Sequence, residues 1–154
     1  MSLVVDTGVL YADHDTDASR HEAAVRALES VYNGSFGQPY ITDYIFDEAV
    51  TLARKRTGTH TAAAQLSERL RGVGTYPETY ELLRVSAAVF TDAVDVFERY
   101  DDQSLSFTDA TIVATLERHD IDRVLSFDDL HRVGEDCSRN AEQFVRLRIP
   151  ADAS

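Results

Sequence analysis

Residues 3–10 read LVVDTGVL, and this stretch is the strongest indication of the fold in the chain. The apolar residues 3–5 form a short continuous run, which is typical of a buried strand in a parallel sheet. The run ends abruptly at Asp6, and Gly8 follows two residues later. Ligands of open α/β sheets bind at the carboxyl ends of the strands, so Asp6 is a candidate functional residue. Alternatively, Asp6 caps the segment that follows and Gly8 supplies a turn.

The length and composition indicate one globular domain. The 154 residues are enough to bury a core, and 44% of them are hydrophobic. We predict a single domain over residues 1–150 and a frayed tail at 151–154. No apolar stretch approaches the roughly 20 residues of a membrane span and no signal peptide is recognisable, so we expect a cytoplasmic protein with no membrane partner. The lone Cys137 argues against disulfides and structural zinc.

The charge of the chain is strongly negative. The formal net charge is −12, and 27 acidic residues stand against 15 basic ones, of which Lys55 is the single lysine. This composition resembles that of proteins from salt-accumulating organisms. Nucleic-acid binders are normally basic, so the acidic surface counts against such a partner. At molar salt, however, the Debye length is about 3 Å, and a basic surface would contribute little.

Helical and strand-like segments alternate along the chain. An acidic turn at 13–17 precedes the first predicted helix, and breakers at 33–37 and 72–74 end two of the helices. The predicted helices span residues 18–32, 43–57, 59–70, 86–100 and 106–118. The predicted strands span residues 3–5, 80–85, 123–126 and 144–149. Strands separated by helices indicate an α/β fold with a parallel sheet that is covered by helices.

One predicted helix carries an acid on its apolar face. In the helix that begins at Ser106, the apolar residues Ile112, Val113 and Leu116 share one face, and Asp109 lies in the middle of it. A carboxylate that points inward needs a hydrogen-bond partner or a metal ion. Ser106 and Asp109 also match a capping box. Asp109 is therefore either a helix cap or a metal ligand.

Two further acids occupy comparable positions. Glu48 borders the apolar face of the helix at 43–57, whereas Asp47 lies on the opposite face; the alternative for Glu48 is a solvated helix edge. Asp128 directly follows the strand at 123–126, as Asp6 follows the first strand. Asp128 and Asp129 both remain candidates there, and either can instead cap a short helix.

The acids at positions 6, 48, 109 and 128 can converge on one crevice, two from strand ends and two from helix faces. Clustered carboxylates repel each other unless a hard divalent cation such as Mg²⁺ or Mn²⁺ binds between them. A metal held by oxygen ligands can activate water for attack on a phosphodiester. Thr7 and Thr108, each next to one of these acids, can add hydroxyl ligands or cap helices.

Four stretches of the chain, in order, resemble the PIN-domain nucleases and, in size, the VapC-type toxins. They are VVDTGVLYA at 4–12, TDYIFDEA at 42–49, LSFTDATIVA at 105–114 and VLSFD at 124–128, of which the first and third are the most specific. The resemblance implies a three-layer α/β/α sandwich with a central parallel sheet. It also implies an endoribonuclease dependent on Mg²⁺ or Mn²⁺, a homodimer, and a small antitoxin that inserts into the active site.

The resemblance also implies which residues form the site. The four acids of the family correspond to Asp6, Glu48, Asp109 and Asp128, and Thr108 corresponds to the accompanying hydroxyl. The chain departs from the family at His131, where an aromatic residue often follows the fourth acid. The choice between Asp128 and Asp129 therefore stays open.

Two clusters of basic residues are the candidates for phosphate contacts. They are Arg54, Lys55 and Arg56 in one helix, and Arg69 with Arg71 in the next. Cations at the ends of helices also complement the helix dipole, which is the alternative explanation.

Two other functions compete with the nuclease. A non-catalytic PIN-like module that binds RNA or an antitoxin is disfavoured because all four acids are retained. A metal-dependent phosphatase of the haloacid-dehalogenase type needs a second Asp where this chain has Gly8, and a receiver domain needs a lysine at the end of a strand.

Overall fold

The computed structural model describes residues 2–100 and 105–127 and the backbone of residues 145–148. The predicted tail at 151–154 lies outside these residues. Within them, no helix is both long and apolar enough to cross a membrane.

The strands form one parallel sheet. They are β1 (Ser2–Val5), β2 (Gln38–Thr42), β3 (Glu81–Leu83), β4 (Arg123–Ser126) and β5 (Val145–Arg148). Their order is β3-β2-β1-β4-β5, and every neighbouring pair is parallel. The chain runs from β1 to β2 and β3 on one side of the sheet and then crosses to β4 and β5 on the other side, so a crevice opens at the carboxyl end of β1. The predicted three-layer α/β/α fold is confirmed.

Six helices connect the strands in the part of the chain that the structure describes. They are α1 (Thr7–His14), α2 (His21–Tyr32), α3 (Asp43–Thr57), α4 (His60–Arg71), α5 (Ala87–Arg99) and α6 (Phe107–Arg118). The last four are capped by the side chains of Thr42, Thr59, Ser86 and Ser106, each of which accepts a hydrogen bond from the backbone N–H three residues on. Gly58 and Gly72 end α3 and α4 with left-handed backbones.

The first strand lies at the centre of the core. Leu3, Val4 and Val5 are completely buried, because β1 has a neighbouring strand on each side and helices over its faces. A second apolar cluster joins α5 to α6 through Val89, Ala93 and Val113. The predicted strand at residues 3–5 is therefore confirmed, and its continuous apolar run is buried in a parallel sheet as expected.

The interpretation of Gly8 as the source of a turn is wrong, and the acidic turn predicted at 13–17 overlaps the end of a helix. Instead of a turn, Thr7–His14 forms α1, with Asp6 as its N-cap. Gly8 lies inside this helix and supplies no turn. The segment contains glycine and β-branched residues, which have low helix propensity, so its helical state depends on packing rather than on local preference. The buried Asp13 belongs to this helix and not to an acidic turn.

The second strand, β2, was not predicted because it contains Pro39. A proline has no N–H to donate and is normally confined to sheet edges. Pro39 pairs with Leu3 of β1, but the pairing of β2 with β3 begins only at Tyr40. At Pro39, the side of β2 that faces β3 is not yet paired. The N–H group that proline lacks therefore removes no hydrogen bond between these two strands.

The end of α1 makes the stability of the fold depend on pH. Burial lowers the pKa of His14, whose Nε2 lies 3.0 Å from the carbonyl oxygen of Ala62. A hydrogen bond from the Tyr11 hydroxyl lowers the pKa of Asp15, and burial with that same bond raises the pKa of Tyr11 to about 12. His14 and Asp15 therefore bind protons more readily in the unfolded chain. The free energy of unfolding should fall as the pH falls, through the His14 effect below about pH 6.5 and the Asp15 effect below about pH 4.

We expect His14→Gln to reduce the loss of unfolding free energy between pH 7 and pH 5. The glutamine amide can still donate to the carbonyl of Ala62, but it does not take up a proton. Thermal melts at constant KCl should then show a decline in melting temperature that is smaller by a few degrees. An equally steep decline in the variant would show that His14 is not the responsible group.

Candidate active site

Asp6 occupies the crevice at the carboxyl end of β1. Its side chain is 5% exposed. One carboxylate oxygen accepts a hydrogen bond from the backbone N–H of Thr7 at 2.7 Å, and the other accepts from the Ser126 hydroxyl at 2.8 Å. Its backbone N–H donates to the carbonyl of Leu125 at 3.0 Å. Asp6 is thus an N-cap, as the alternative explanation required, and it is also held in a fixed orientation against β4.

The hydroxyl of Thr7 is buried beside this carboxylate. The described residues give its Oγ1 no hydrogen-bond partner, although the residue is only 3% exposed. A buried polar group left unsatisfied costs about 1–3 kcal/mol. An oxygen atom in this position, next to a buried acid, is suited to a bound cation or an ordered water molecule.

Asp109 lies in the first turn of α6 and forms the predicted capping box. Its carboxylate accepts from the backbone N–H of Ser106, and its own N–H donates to the Ser106 hydroxyl, both at 3.1 Å. The cap explanation is therefore confirmed for this residue. It does not conflict with metal binding, since one carboxylate has about four lone-pair positions. Asp109 and the neighbouring Thr108 are half-buried.

Glu48 lies on α3, which begins at the same edge of the sheet. It is half-buried, whereas Asp47 is exposed, and this difference agrees with the helix pattern. The rings of Tyr44 and Phe107 have centroids 6.2 Å apart and join the first turns of α3 and α6. Glu48 is one helical turn after Tyr44, and Asp109 is two residues after Phe107. Both acids therefore lie near the point where these two helices meet.

The fourth predicted acid follows β4, next to Phe127. Asp128 and Asp129 both lie outside the described residues, so the structure does not decide between them. Phe127 faces Gly8 of α1, because a β-carbon built on Gly8 would be 3.8 Å from the ring. The guanidinium of Arg20 lies 4.8 Å from the centre of the same ring. Arg20 is thus a cation beside the crevice, and nothing in the sequence pattern distinguishes it from the other arginines.

The described residues supply oxygen ligands but not a complete metal site. In residues 2–100 and 105–127, no three acid, histidine or cysteine side chains lie close enough together to hold one metal ion. The candidate ligands are nevertheless of one chemical kind, carboxylate oxygens and the buried Thr7 hydroxyl. This is the donor chemistry that Mg²⁺ and Mn²⁺ prefer.

The basic clusters lie elsewhere. Arg54, Lys55 and Arg56 form the last turn of α3, and Arg54 is roughly 18 Å along the helix from its cap at about 1.5 Å per residue. Arg54, Lys55 and Arg71 line a groove of about 540 Å³ between α3 and α4. Arg69 instead forms a salt bridge of 3.0 Å with the buried Asp13. The structure thus brings part of both clusters together, but away from Asp6.

The described geometry is that of an α/β protein with a buried acid at the end of its central strand, and a family model for the PIN domain matches residues 3–135. The chain belongs to the PIN-domain family. The resemblance predicted from its four motifs is therefore confirmed. This PIN domain is 26% identical to ribonuclease VapC26 of Mycobacterium tuberculosis over 129 residues, which are 84% of this chain and 88% of that protein.

Solved structures show the same fold. VapC20 of Mycobacterium tuberculosis, a sarcin-ricin loop cleaving toxin, is similar to this PIN domain with a TM-score of 0.72 and 25% identity, over 86% of this chain and 95% of that one. A toxin-antitoxin complex from Klebsiella pneumoniae has a chain with a TM-score of 0.56 and 19% identity, over 93% of this chain and 95% of that one.

Proposed function

We propose that this PIN domain is an endoribonuclease dependent on Mg²⁺ or Mn²⁺, and that it is the toxin of a toxin-antitoxin pair. The observation that carries the proposal is the buried Asp6 carboxylate at the carboxyl end of the central strand, in the crevice where the direction of the strand connections reverses. The half-buried Glu48 and Asp109 support it, since their helices begin at the same edge. The names of the relatives, a ribonuclease and a loop-cleaving toxin, agree with this activity.

The acids would hold the metal through their oxygen atoms. Asp6, Glu48, Asp109 and Asp128 or Asp129 are the proposed ligands, and Thr7 and Thr108 support them. A bound divalent cation supplies positive charge for the phosphate and lowers the pKa of a water molecule. The protein itself orients the ligands: Ser126 and the N–H of Thr7 hold the carboxylate of Asp6, and Ser106 holds that of Asp109.

Arg20 is the proposed phosphate contact nearest to the crevice. The contact with the ring of Phe127 places its guanidinium beside the crevice, and a guanidinium can bind a phosphate through its N–H groups. Arg54, Lys55 and Arg56, with Arg71, are proposed as contacts to a more distant part of the RNA.

Cleavage of a defined RNA pool in high-KCl buffer tests the proposed function. We expect cleavage with Mn²⁺ or Mg²⁺, loss of cleavage in EDTA, and recovery when the metal is added back. A rise in melting temperature with Mn²⁺ should accompany it, because a ligand that binds only the folded state stabilises it. Binding of RNA without cleavage by well-folded protein would favour the non-catalytic module, and hydrolysis of a phosphate monoester instead of RNA would favour the phosphatase.

A small antitoxin and a second copy of the chain are the proposed protein partners. The Klebsiella pneumoniae neighbour is a toxin-antitoxin complex, which agrees with an antitoxin partner here. Molar mass measured by light scattering tests the homodimer. A short reading frame beside the coding region, whose product inhibits cleavage when co-purified, would support the antitoxin.

A further inference from the structure

The groove of about 540 Å³ between α3 and α4, which we term the α3/α4 groove, follows one face of a helix. Its lining residues on α4 are His60, Ala63, Ala64, Ser67, Glu68 and Arg71. They recur at the spacing of three and four residues that defines a single helix face. The groove therefore extends along α4 for roughly 16 Å, at about 1.5 Å per residue, and accommodates a further helix of about three turns.

The floor of the α3/α4 groove is made of small aliphatic side chains. Ala63 is buried, and Val50 and Ala64 are half-buried. Among the described residues, the lining includes no aromatic side chain, so it offers no ring on which a nucleotide base could stack. An aliphatic floor along a helix face is suited to the apolar face of an amphipathic helix.

Three exposed cations form the rim of the α3/α4 groove. Arg54, Lys55 and Arg71 form no ion pair with any residue that the structure describes, although the chain has 27 acidic residues against 15 basic ones. Uncharged oxygen atoms orient two of them. Arg54 donates to the carbonyl of Gly58 at 3.3 Å, and Nε of Arg71 donates to the carbonyl and the hydroxyl of Ser67, both at 3.2 Å. Each guanidinium has further N–H donors for an anionic partner.

The charge of the α3/α4 groove is opposite to that of the chain. Its described lining has three cations and one acid, Glu68, and therefore a net charge of +2 when His60 is neutral, whereas the whole chain carries −12. Charge complementarity favours an acidic partner for this surface. An RNA backbone could pair with the cations, but it has no apolar side to cover the aliphatic floor. An acidic amphipathic helix matches both the rim and the floor.

We propose that the α3/α4 groove binds an acidic amphipathic helix of a partner protein. The apolar face of this helix covers the aliphatic floor, and its carboxylates pair with the three rim cations. The groove lies away from Asp6, so the helix is separate from any segment that enters the candidate active site. The rim cations are also the proposed contacts to a distant part of the RNA. We therefore expect the bound helix to compete with RNA, a part of the inference that rests on the proposed function.

A synthetic helical peptide of about three turns tests the proposal. It carries leucines on one face, glutamates on both sides of that face, a side-chain lactam that keeps it helical, and a fluorescent label. We expect saturable binding to the full-length protein, measured by fluorescence anisotropy in EDTA at the lowest KCl concentration at which the protein stays folded. The double variant Lys55→Gln, Arg71→Gln should bind the peptide roughly tenfold more weakly, because ion pairs with the glutamates are lost.

The double variant Arg26→Gln, Arg84→Gln is the matched control. Both arginines are exposed and neither lines the α3/α4 groove, so this variant loses the same two positive charges at other places on the surface. We expect it to bind the peptide with unchanged affinity. Thermal melts of both double variants show whether each is folded at the temperature of the titration.

Four results would overturn the proposal. Equal binding of a peptide in which glutamines replace the glutamates would exclude charge pairing with the rim. Equal binding of a peptide in which serines replace the leucines would exclude a contact with the floor. Equal affinities in the groove variant and the control variant would show that the peptide binds elsewhere. A folded protein that binds RNA through the rim cations but binds no peptide would assign the α3/α4 groove to RNA alone.

Competition with RNA is measured separately. A labelled RNA with 2′-O-methyl riboses, which cannot be cleaved, is bound to the protein in EDTA and titrated with unlabelled peptide. We expect the peptide to release RNA from the wild-type protein and to release less from the groove variant. Peptide binding that releases no RNA would contradict the competition.

These measurements also separate the inference from the proposed function. If the protein binds the peptide but neither binds nor cleaves RNA, the α3/α4 groove is a protein-docking site and the proposed function is wrong. If the protein cleaves RNA but binds no peptide, the nuclease assignment stands and this inference is wrong.

Discussion

Replacement of Asp6 by Asn should reduce metal-dependent RNA cleavage by at least about a hundredfold, with little change in stability. The substitution removes the negative charge but keeps the shape. The amide oxygen can still accept from the N–H of Thr7, and the Ser126 hydroxyl can rotate to accept from the new NH₂ group. Initial rates under saturating Mn²⁺, together with thermal melts of both proteins, measure the two effects.

Asp13→Asn provides a matched control for the Asp6 variant. Asp13 is also a buried acid of the same segment, but it forms a salt bridge with Arg69 and accepts from the Tyr32 hydroxyl at 3.2 Å. Its loss should lower the stability by about 1–3 kcal/mol and leave cleavage unchanged at temperatures where the variant is folded. If both variants lose activity in proportion to their stability, Asp6 has a structural role only.

Asp109→Asn should also abolish cleavage, while Ser106→Ala should not. The asparagine oxygen can still accept from the N–H of Ser106, so the cap is retained while the charge is lost. Ser106→Ala has the opposite effect: it removes the acceptor for the N–H of Asp109 and should cost about 1 kcal/mol of stability. Cleavage rates and melting temperatures of the two variants separate the two roles of this turn.

One result would contradict a direct metal-binding role for Asp109. An equal loss of activity in Ser106→Ala and Asp109→Asn would mean that the carboxylate acts only through the helix cap. Restoration of cleavage by raised Mn²⁺ in Asp109→Asn would instead support direct metal binding.

The sequence predicts those parts of the fold in which local and tertiary preferences agree. The helix at α6 has a capping box and an apolar face, and the strand at β1 is a continuous apolar run; both were recognised. Helix α1 was missed because packing, and not propensity, keeps its glycine and β-branched residues helical. Strand β2 was missed because a proline normally argues against a central strand. The proline is tolerated here because β3 begins to pair with β2 only after Pro39.

The candidate site is predictable only in part for a similar reason. An acid at a strand end is recognisable in the sequence, so Asp6 was identified. Its bond to Ser126 depends on the pairing of β1 with β4 and could not be read from either segment alone. Arg20 reaches the crevice through its contact with Phe127, which is more than a hundred residues away in the chain.

The bond between Asp6 and Ser126 spans 120 positions of the chain, and this has a consequence for the order of synthesis. Domains emerge from the ribosome from the N-terminus onward. The first strand leaves the exit tunnel early, but β4 becomes available only after residue 126 has been added. Until then, Asp6 lacks the strand that holds its carboxylate, and α6 has no completed sheet against which to place Asp109. A nascent chain that has not yet reached β4 therefore has no assembled candidate site, and the site forms only after residue 126 has been added.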